Sequence, residues 1–217
     1  MNEKTPDPRG TQCAIPLPVT LQSVERAMAD LRRSAIVVVA GSDHALMLQA
    51  AEGITKDALA RLTAVSKGTP SLLLTARRAS ILGLTDGPTG AVRITLSSDI
   101  TAETVRMMAD PAGPQPVQHP SALSIAFIDP ESNPGAAETG AIELAKLARL
   151  LPAAVVATVP SERLGYLPSW AESESLLIVE LESIHQYRDA EARMLQRVGE
   201  ASVPLTETEN SNVIAFR

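Results

Sequence analysis

The 217-residue chain is long enough to bury one substantial core, and 45% of its residues are hydrophobic, which excludes wholesale disorder. Its net charge of −6 and its 2% of aromatic residues argue against nucleic-acid binding, which needs clustered cations and stacking rings. No apolar run approaches the roughly 20 residues that span a bilayer, and the charged N-terminus lacks the apolar core of a signal peptide, so we expect a soluble, cytoplasmic protein with no membrane partner.

The first residues carry several prolines and little apolar patterning, so we predict a loose leader over 1–18. Cys13 lies in this leader and is the only cysteine in the sequence. The chain therefore has neither an internal disulfide nor a cysteine-rich zinc site, which is typical of a protein from a reducing cytosol.

Helical and strand patterns alternate through the first half of the chain. Apolar residues at i, i+3, i+4 and i+7 over Val24–Leu31 predict a helix. The β-branched run Ala35–Ala40 is too short for a helix and apolar on both faces, which indicates a buried strand. Thr55 is suited to cap the next helix. The other predicted segments are an apolar stretch at Ala45–Ala51, strands at Ser71–Thr75 and Val92–Leu96, helices at Ala76–Leu82 and Thr101–Ala109, and a proline-rich loop over 110–120.

The second half of the chain has a simpler pattern. Its alternation of strands and helices predicts an α+β fold with α/β-type layers, in which a mixed β-sheet is flanked by helices. The tail ends on the strand-like run Val213–Phe216, and since a domain does not normally finish by starting a strand, we expect either a cut at a domain boundary or a partner for this segment. The predicted segments are strands at Leu123–Ile128, Ala153–Val159 and Leu176–Val179, helices over 138–150 and 180–197, and a loop over 160–170.

General catalytic and metal-binding motifs are absent from the sequence. Ser42, Asp43 and His44 are consecutive, so on an extended chain they point to opposite faces, and we interpret them as a polar turn rather than a triad. His119 lies in the proline-rich loop just before a strand, a better position for a functional side chain, whereas His185 is interpreted as a partly exposed helix residue. Residue spacing alone identifies no active site.

Six segments nevertheless resemble, in order, the 3,4-dihydroxy-2-butanone 4-phosphate synthase family of riboflavin biosynthesis, over about residues 22–198. The resemblance implies the fold of that family and a homodimer. The segments are VERAMADLRRSAIVVVA at 24–40, AAEGIT at 50–55, RRASILGL at 77–84, TVRMMADP at 104–111, TGAIELAKLARLLPAAVVATV at 139–159 and VELESIHQYRDAEARMLQRV at 179–198.

The departures from the family pattern fall on its magnesium ligands. The resemblance implies an acidic magnesium-binding loop after the first strand, where this chain has the shorter AGSDHAL at 40–46 with Asp43 as its only carboxylate. The family's G-H-T-E motif falls on residues 136–139, so Ala137 stands in place of the metal-binding histidine, followed by Glu138 and Thr139. We therefore expect no cofactor and no metal ligand.

Other positions that the resemblance implies for catalysis have also changed. Thr158 falls on the catalytic glutamate, and a threonine cannot act as a carboxylate acid or base. The family's T-T-G-I-S-A-A-D-R loop, which helps to hold the substrate phosphate, is missing before residue 101, and only His119 falls loosely on a substrate-contacting histidine. We assign no catalytic residue, and expect a vestigial pocket formed by Asp43, His119, Glu138, Thr139 and Thr158.

In this family the synthase domain is often fused ahead of GTP cyclohydrolase II, and residues 201–217 resemble the join and first strand of that partner. We therefore expect a synthase-like domain over 19–200, then a linker and the start of a cyclohydrolase-like domain. The leading hypothesis is a catalytically inactive domain with a structural, dimerisation or regulatory role. The alternatives are a lyase that converts ribulose 5-phosphate to 3,4-dihydroxy-2-butanone 4-phosphate and formate, and a metabolite-binding regulatory module.

Overall fold

A computed structural model describes residues 19–86, 89–113, 124–129, 131–133, 135–205 and 208–217. The helices in these ranges are α1 Val19–Arg32, α2 Lys56–Ser66, α3 Ala76–Ile81, α4 Ala102–Ala109, α5 Ala137–Leu147, α6 Ser161–Leu164, α7 Leu167–Ser173 and α8 Leu181–Met194. The strands are β1 Val37–Ala40, β2 Ala45–Ala50, β3 Ser71–Thr75, β4 Ala91–Thr95, β5 Ile125–Ile128, β6 Ala153–Thr158, β7 Leu177–Glu180, β8 Arg197–Leu205 and β9 Thr208–Phe216. None of these helices is long and apolar enough to cross a membrane.

Seven strands form one mixed sheet in the order β5-β4-β3-β6-β2-β1-β7. β1 and β7 pair in parallel, and the other neighbours pair antiparallel. The central strands β2, β3 and β6 are buried along almost their whole length, as their runs of alanine, valine and leucine require. The predicted fold class, a mixed sheet flanked by helices, is confirmed.

Helices cover both faces of this sheet. α1, α5 and α8 pack on one face around side chains such as Val39 and Val156, and α2, α3, α4 and α7 pack on the other around Val38 and Val155. Successive residues of a strand alternate between the two apolar clusters, as the pleat demands. Gly140 allows α5 to pack closely against α8, since a Cβ at this position would lie 2.6 Å from Leu181 Cδ1.

Two predicted segments were wrong. The predicted loop over 160–170 contains α6 and most of α7, because Pro168 lies in the first turn of α7, where its missing N–H costs nothing. The predicted helix over 180–197 ends at Met194, and Arg197 already begins β8. The leader 1–18 with Cys13 lies outside the described residues, as does His119.

The C-terminal strands form a separate hairpin. β8 pairs antiparallel with β9, so the predicted strand-like run Val213–Phe216 is part of a real strand. The predicted boundary at residue 200 lies inside β8.

Arg78 is a buried cation that joins α3 to the end of α4. Its Nε donates to the Met108 carbonyl at 2.8 Å, and its Nη2 donates to the carbonyls of Met107 and Asp110 at 3.2 and 2.9 Å. The last carbonyls of a helix have no partner within the helix, so the guanidinium satisfies groups that burial would otherwise penalise. Arg77, its neighbour on α3, is exposed.

This contrast gives a matched pair of variants. We expect Arg78→Met to lower the free energy of unfolding by about 3 kcal/mol, because it removes charged hydrogen bonds from buried carbonyls while keeping the apolar stem. Arg77→Met should change it by less than about 0.5 kcal/mol. Urea unfolding of both variants measures the difference, and equal losses would contradict the assigned role of Arg78.

Candidate functional site

The loop after β1 lies against the backbone that leads into α5. Ser42 donates to the Gly135 carbonyl through its backbone N at 3.1 Å and through its Oγ at 3.3 Å. A Cβ on Gly41 would lie 2.7 Å from the Gly135 oxygen and 2.9 Å from the Ala137 nitrogen, which are backbone atoms. Only glycine allows this approach, and it brings the loop within reach of the first turn of α5.

Glu138, in that first turn, is the centre of a polar cluster. Its side chain is only 4% exposed. One carboxylate oxygen lies 2.9 Å from His44 Nε2, and the other accepts from Arg93 Nη1 at 3.0 Å. A buried carboxylate is tolerated only when its charge and its lone pairs are matched, and here both oxygens are.

The order of the sheet explains how Arg93 reaches this position. Arg93 in β4 is paired with Leu73 in β3, which is paired with Ala154 in β6, so all three face the α5 side of the sheet. Its Nη2 also donates to Thr158 Oγ1 at 2.8 Å, at the end of β6. One guanidinium thus joins β4, β6 and α5.

The ionisation of the cluster follows from these contacts. The hydrogen bond to Glu138 raises the pKa of His44 above 6.5, helped by the charges of Glu138 and Asp43 and opposed by burial and by Arg93. Burial alone would raise the pKa of Glu138, but the hydrogen bond from His44, a backbone hydrogen bond and the charges of His44 and Arg93 hold it below 4.5. At a pH between 4.5 and 6.5 Glu138 is therefore a carboxylate and His44 an imidazolium, and Arg93 is a guanidinium.

A cavity of about 430 Å³ opens beside the cluster. His44, with its side chain 28% exposed, forms part of its wall. Hydroxyl groups dominate the rest of the polar lining, and Asp43 is the carboxylate among the lining residues. The lining consists of Asp43, His44, Ser66, Gly68, Thr69, Thr158, Val159, Pro160, Ser161 and Leu164.

The vestigial pocket expected from the sequence is only partly assembled among the described residues. Asp43 and Thr158 line the cavity, and Glu138 lies behind it in the polar cluster. Thr139 is half-buried on α5 and is not among the lining residues, and His119 lies outside the described part of the chain. Whether these residues act in function remains a prediction.

Two members of the cluster were missed by sequence reasoning. His44 was interpreted as part of a polar turn, but its side chain contacts Glu138, 94 residues away along the chain. Arg93 lies inside a correctly predicted strand and was not singled out. A cation within an otherwise apolar strand was the available signal, because such a side chain needs an acidic partner once the sheet is covered.

The magnesium ion that the family resemblance implies does not fit the residues present. A hard divalent cation needs several oxygen ligands, usually including carboxylates. Both oxygens of Glu138 are already bound by nitrogen donors, and Arg93 adds a fixed positive charge beside them. Within the described ranges, no group of three or more His, Cys, Asp or Glu residues is suited to hold a metal ion.

Sequence comparison with curated proteins finds an extensive similarity. The chain is 37% identical over 198 residues to a GTP cyclohydrolase-2 from Azospirillum brasilense. The match covers 91% of this chain and 50% of that protein, so the chain spans about half the length of its relative. No family model matches the chain.

Structure comparison finds the same fold in several 3,4-dihydroxy-2-butanone 4-phosphate synthases. A two-domain synthase from A. baumannii has a TM-score of 0.62 and 20% identity, over 89% of this chain and 66% of its own. The Candida albicans synthase has a TM-score of 0.57 and 22% identity, over 76% and 96%. A synthase in complex with two magnesium ions has a TM-score of 0.57 and 19% identity, over 77% and 96%. The fold expected from the six sequence segments is therefore confirmed.

The close contact at Gly41 can be tested by substitution. We expect Gly41→Ala to lower the free energy of unfolding by about 2 kcal/mol, because the added Cβ would press on backbone atoms that cannot rotate away. Gly68→Ala is the matched control, since a Cβ there would meet atoms only at 3.9 Å. Urea unfolding should show little change for Gly68→Ala, and a neutral Gly41→Ala would contradict the close approach.

The His44–Glu138 contact should make stability depend on pH. Because the pKa of His44 is raised in the folded chain, its stabilisation is complete below 6.5 and is lost as the pH rises through the raised value. We expect His44→Gln to lower the free energy of unfolding by about 1–2 kcal/mol below pH 6.5, and by progressively less at higher pH. Unfolding of both chains between about pH 5.5 and pH 9 measures this. In a Glu138→Gln background the difference between chains with and without His44→Gln should no longer depend on pH. A pH dependence that persists there would mean that a group other than Glu138 stabilises the protonated His44.

Proposed function

We propose that this chain, a domain with the 3,4-dihydroxy-2-butanone 4-phosphate synthase fold, is a non-catalytic part of a GTP cyclohydrolase II-type protein of riboflavin biosynthesis. The similarity to the Azospirillum brasilense cyclohydrolase supports the context, since it extends over 91% of the chain. In this proposal residues 1–18 are a leader, 19–200 the synthase-like domain, and 201–217 the link to a cyclohydrolase-like domain.

The polar cluster is the observation that carries the proposed loss of lyase activity. Among the residues that the structure describes, Glu138 is the buried carboxylate beside the cavity, and it is paired internally with Arg93 and His44. Thr158, which falls on the family's catalytic glutamate, offers only a hydroxyl, and that hydroxyl accepts from Arg93. A general acid or base needs a free titratable group near the working pH, and neither residue supplies one.

The C-terminal hairpin supports a structural role. Its exposed apolar side chains include Val198, Val213, Ile214 and Phe216, each more than 40% exposed. A two-stranded hairpin is only marginally stable alone, and because successive residues of a strand point to opposite faces, Val213 and Ile214 expose apolar side chains on both faces of this hairpin. A following domain or a second copy of the chain would bury these side chains, which is the arrangement that the proposed scaffold and homodimer require.

A second candidate function is the binding of a small metabolite. The cavity of about 430 Å³ favours it, because this volume suits a small polar molecule and the lining offers several hydroxyl groups and His44. Under this alternative the domain would report metabolite levels to the attached enzyme.

The scaffold role is tested on the full-length protein that contains this chain. We expect removal of residues 1–195, a cut that keeps the β8–β9 hairpin whole, to lower cyclohydrolase activity and to reduce the assembly mass, because the domain would no longer support the dimer. Unchanged activity and mass would reject the scaffold. Formate release from ribulose 5-phosphate with magnesium is measured on the same preparation, and release above background would favour the lyase instead. A rise in melting temperature with a pathway metabolite would favour the binding module.

A further inference from the structure

Arg93 supplies the positive charge that the buried carboxylate of Glu138 needs. Glu138 is buried, with its side chain 4% exposed, so its negative charge needs a nearby cation. Arg93 Nη1 lies 3.0 Å from one carboxylate oxygen, and its own side chain is only 22% exposed. The same guanidinium is fixed by Thr158 at 2.8 Å, so it has little freedom to swing away.

The position of Arg93 also excludes a competing cation. A metal ion that bound Glu138 would have to share an oxygen with the guanidinium, at a separation where two positive charges repel strongly in a poorly hydrated site. His44 holds the second oxygen at 2.9 Å. Asp43, on the cavity wall, is the other nearby carboxylate, and one carboxylate with water gives weak magnesium binding.

From this geometry we infer that the Arg93 guanidinium keeps divalent cations out of the cluster around Glu138. Because this positive charge belongs to the chain, it is present whatever the cation concentration in solution. An arginine also suits the role better than a lysine, because its planar fork binds a carboxylate oxygen and a hydroxyl at the same time. The cluster is therefore closed to magnesium as long as Arg93 is present.

The exclusion of cations by Arg93 rests on the proposed function, but experiments can disprove either one without the other. Cation binding to the wild-type chain that depends on Glu138 would overturn the role of Arg93 and leave the scaffold and formate measurements unaffected. Lyase activity would overturn the proposed function even if the isolated cluster took no cation.

The experiment compares the wild-type chain with Arg93→Gln, which removes the charge and keeps a hydrogen-bonding amide. Mg²⁺ and Mn²⁺ are added alone at about 10 mM, with sodium chloride matched for ionic strength, and binding is followed by thermal shift and titration calorimetry. We expect no cation-specific rise in melting temperature for the wild-type chain. For Arg93→Gln we expect a lower melting temperature that Mn²⁺ partly restores, and a binding constant at least about tenfold above that of the wild type.

Two controls make the result specific to the cluster. Arg77→Gln removes an exposed arginine on α3 and should behave as the wild type does. Arg93→Gln combined with Glu138→Gln should lose the Mn²⁺ response, because the acceptor carboxylate is gone. Wild-type binding that Glu138→Gln abolishes would overturn the inference. So would a folded Arg93→Gln variant that gains no cation response, since something other than Arg93 would then exclude the ion.

Discussion

The buried carboxylate of Glu138 has to be matched by positive charge, and the structure around the entry to α5 depends on that requirement. An unpaired carboxylate at this depth would cost several kcal/mol or stay protonated. Its partners come from distant parts of the chain, with His44 before β2 and Arg93 in β4. The cluster therefore requires β4, β3, β6 and β2 to be paired in this order, and it fixes the position of α5 relative to the sheet.

The apolar layers do not depend on the same residues. Both hydrophobic clusters consist mainly of valine, leucine, isoleucine, alanine and methionine side chains from the strands and the covering helices, with Trp170 buried in one cluster and Tyr187 packed against the other. The burial of these side chains supplies most of the folding free energy. Polar residues at the strand ends could therefore change without loss of the fold, which explains how a chain about 20% identical to known synthases retains their architecture.

The sequence was sufficient to predict most of the elements, because they depend on local periodicity. Strands such as Ser71–Thr75 and caps such as Thr55 are recognisable from short segments, and both were confirmed. α7 begins inside the predicted loop over 160–170, where Pro168 lies in the first turn of the helix, a position that proline favours. His44 and Arg93 were missed for a different reason. A cation in an apolar strand indicates that Arg93 needs an acidic partner. The contacts of His44 and Arg93 with Glu138 span 94 and 45 residues, and no local pattern identifies that partner.

The internal pairing of Glu138 also affects what the adjacent cavity can recognise. Because Glu138 is satisfied from within the protein, a molecule that enters need not bring a cation to balance it. His44 belongs to both the polar cluster and the cavity, since it binds Glu138 and also forms part of the cavity wall. A ligand that competed for His44 would weaken the link between the Gly41–His44 loop and α5. The cavity is thus connected through His44 and Glu138 to α5, the helix on which α8 packs.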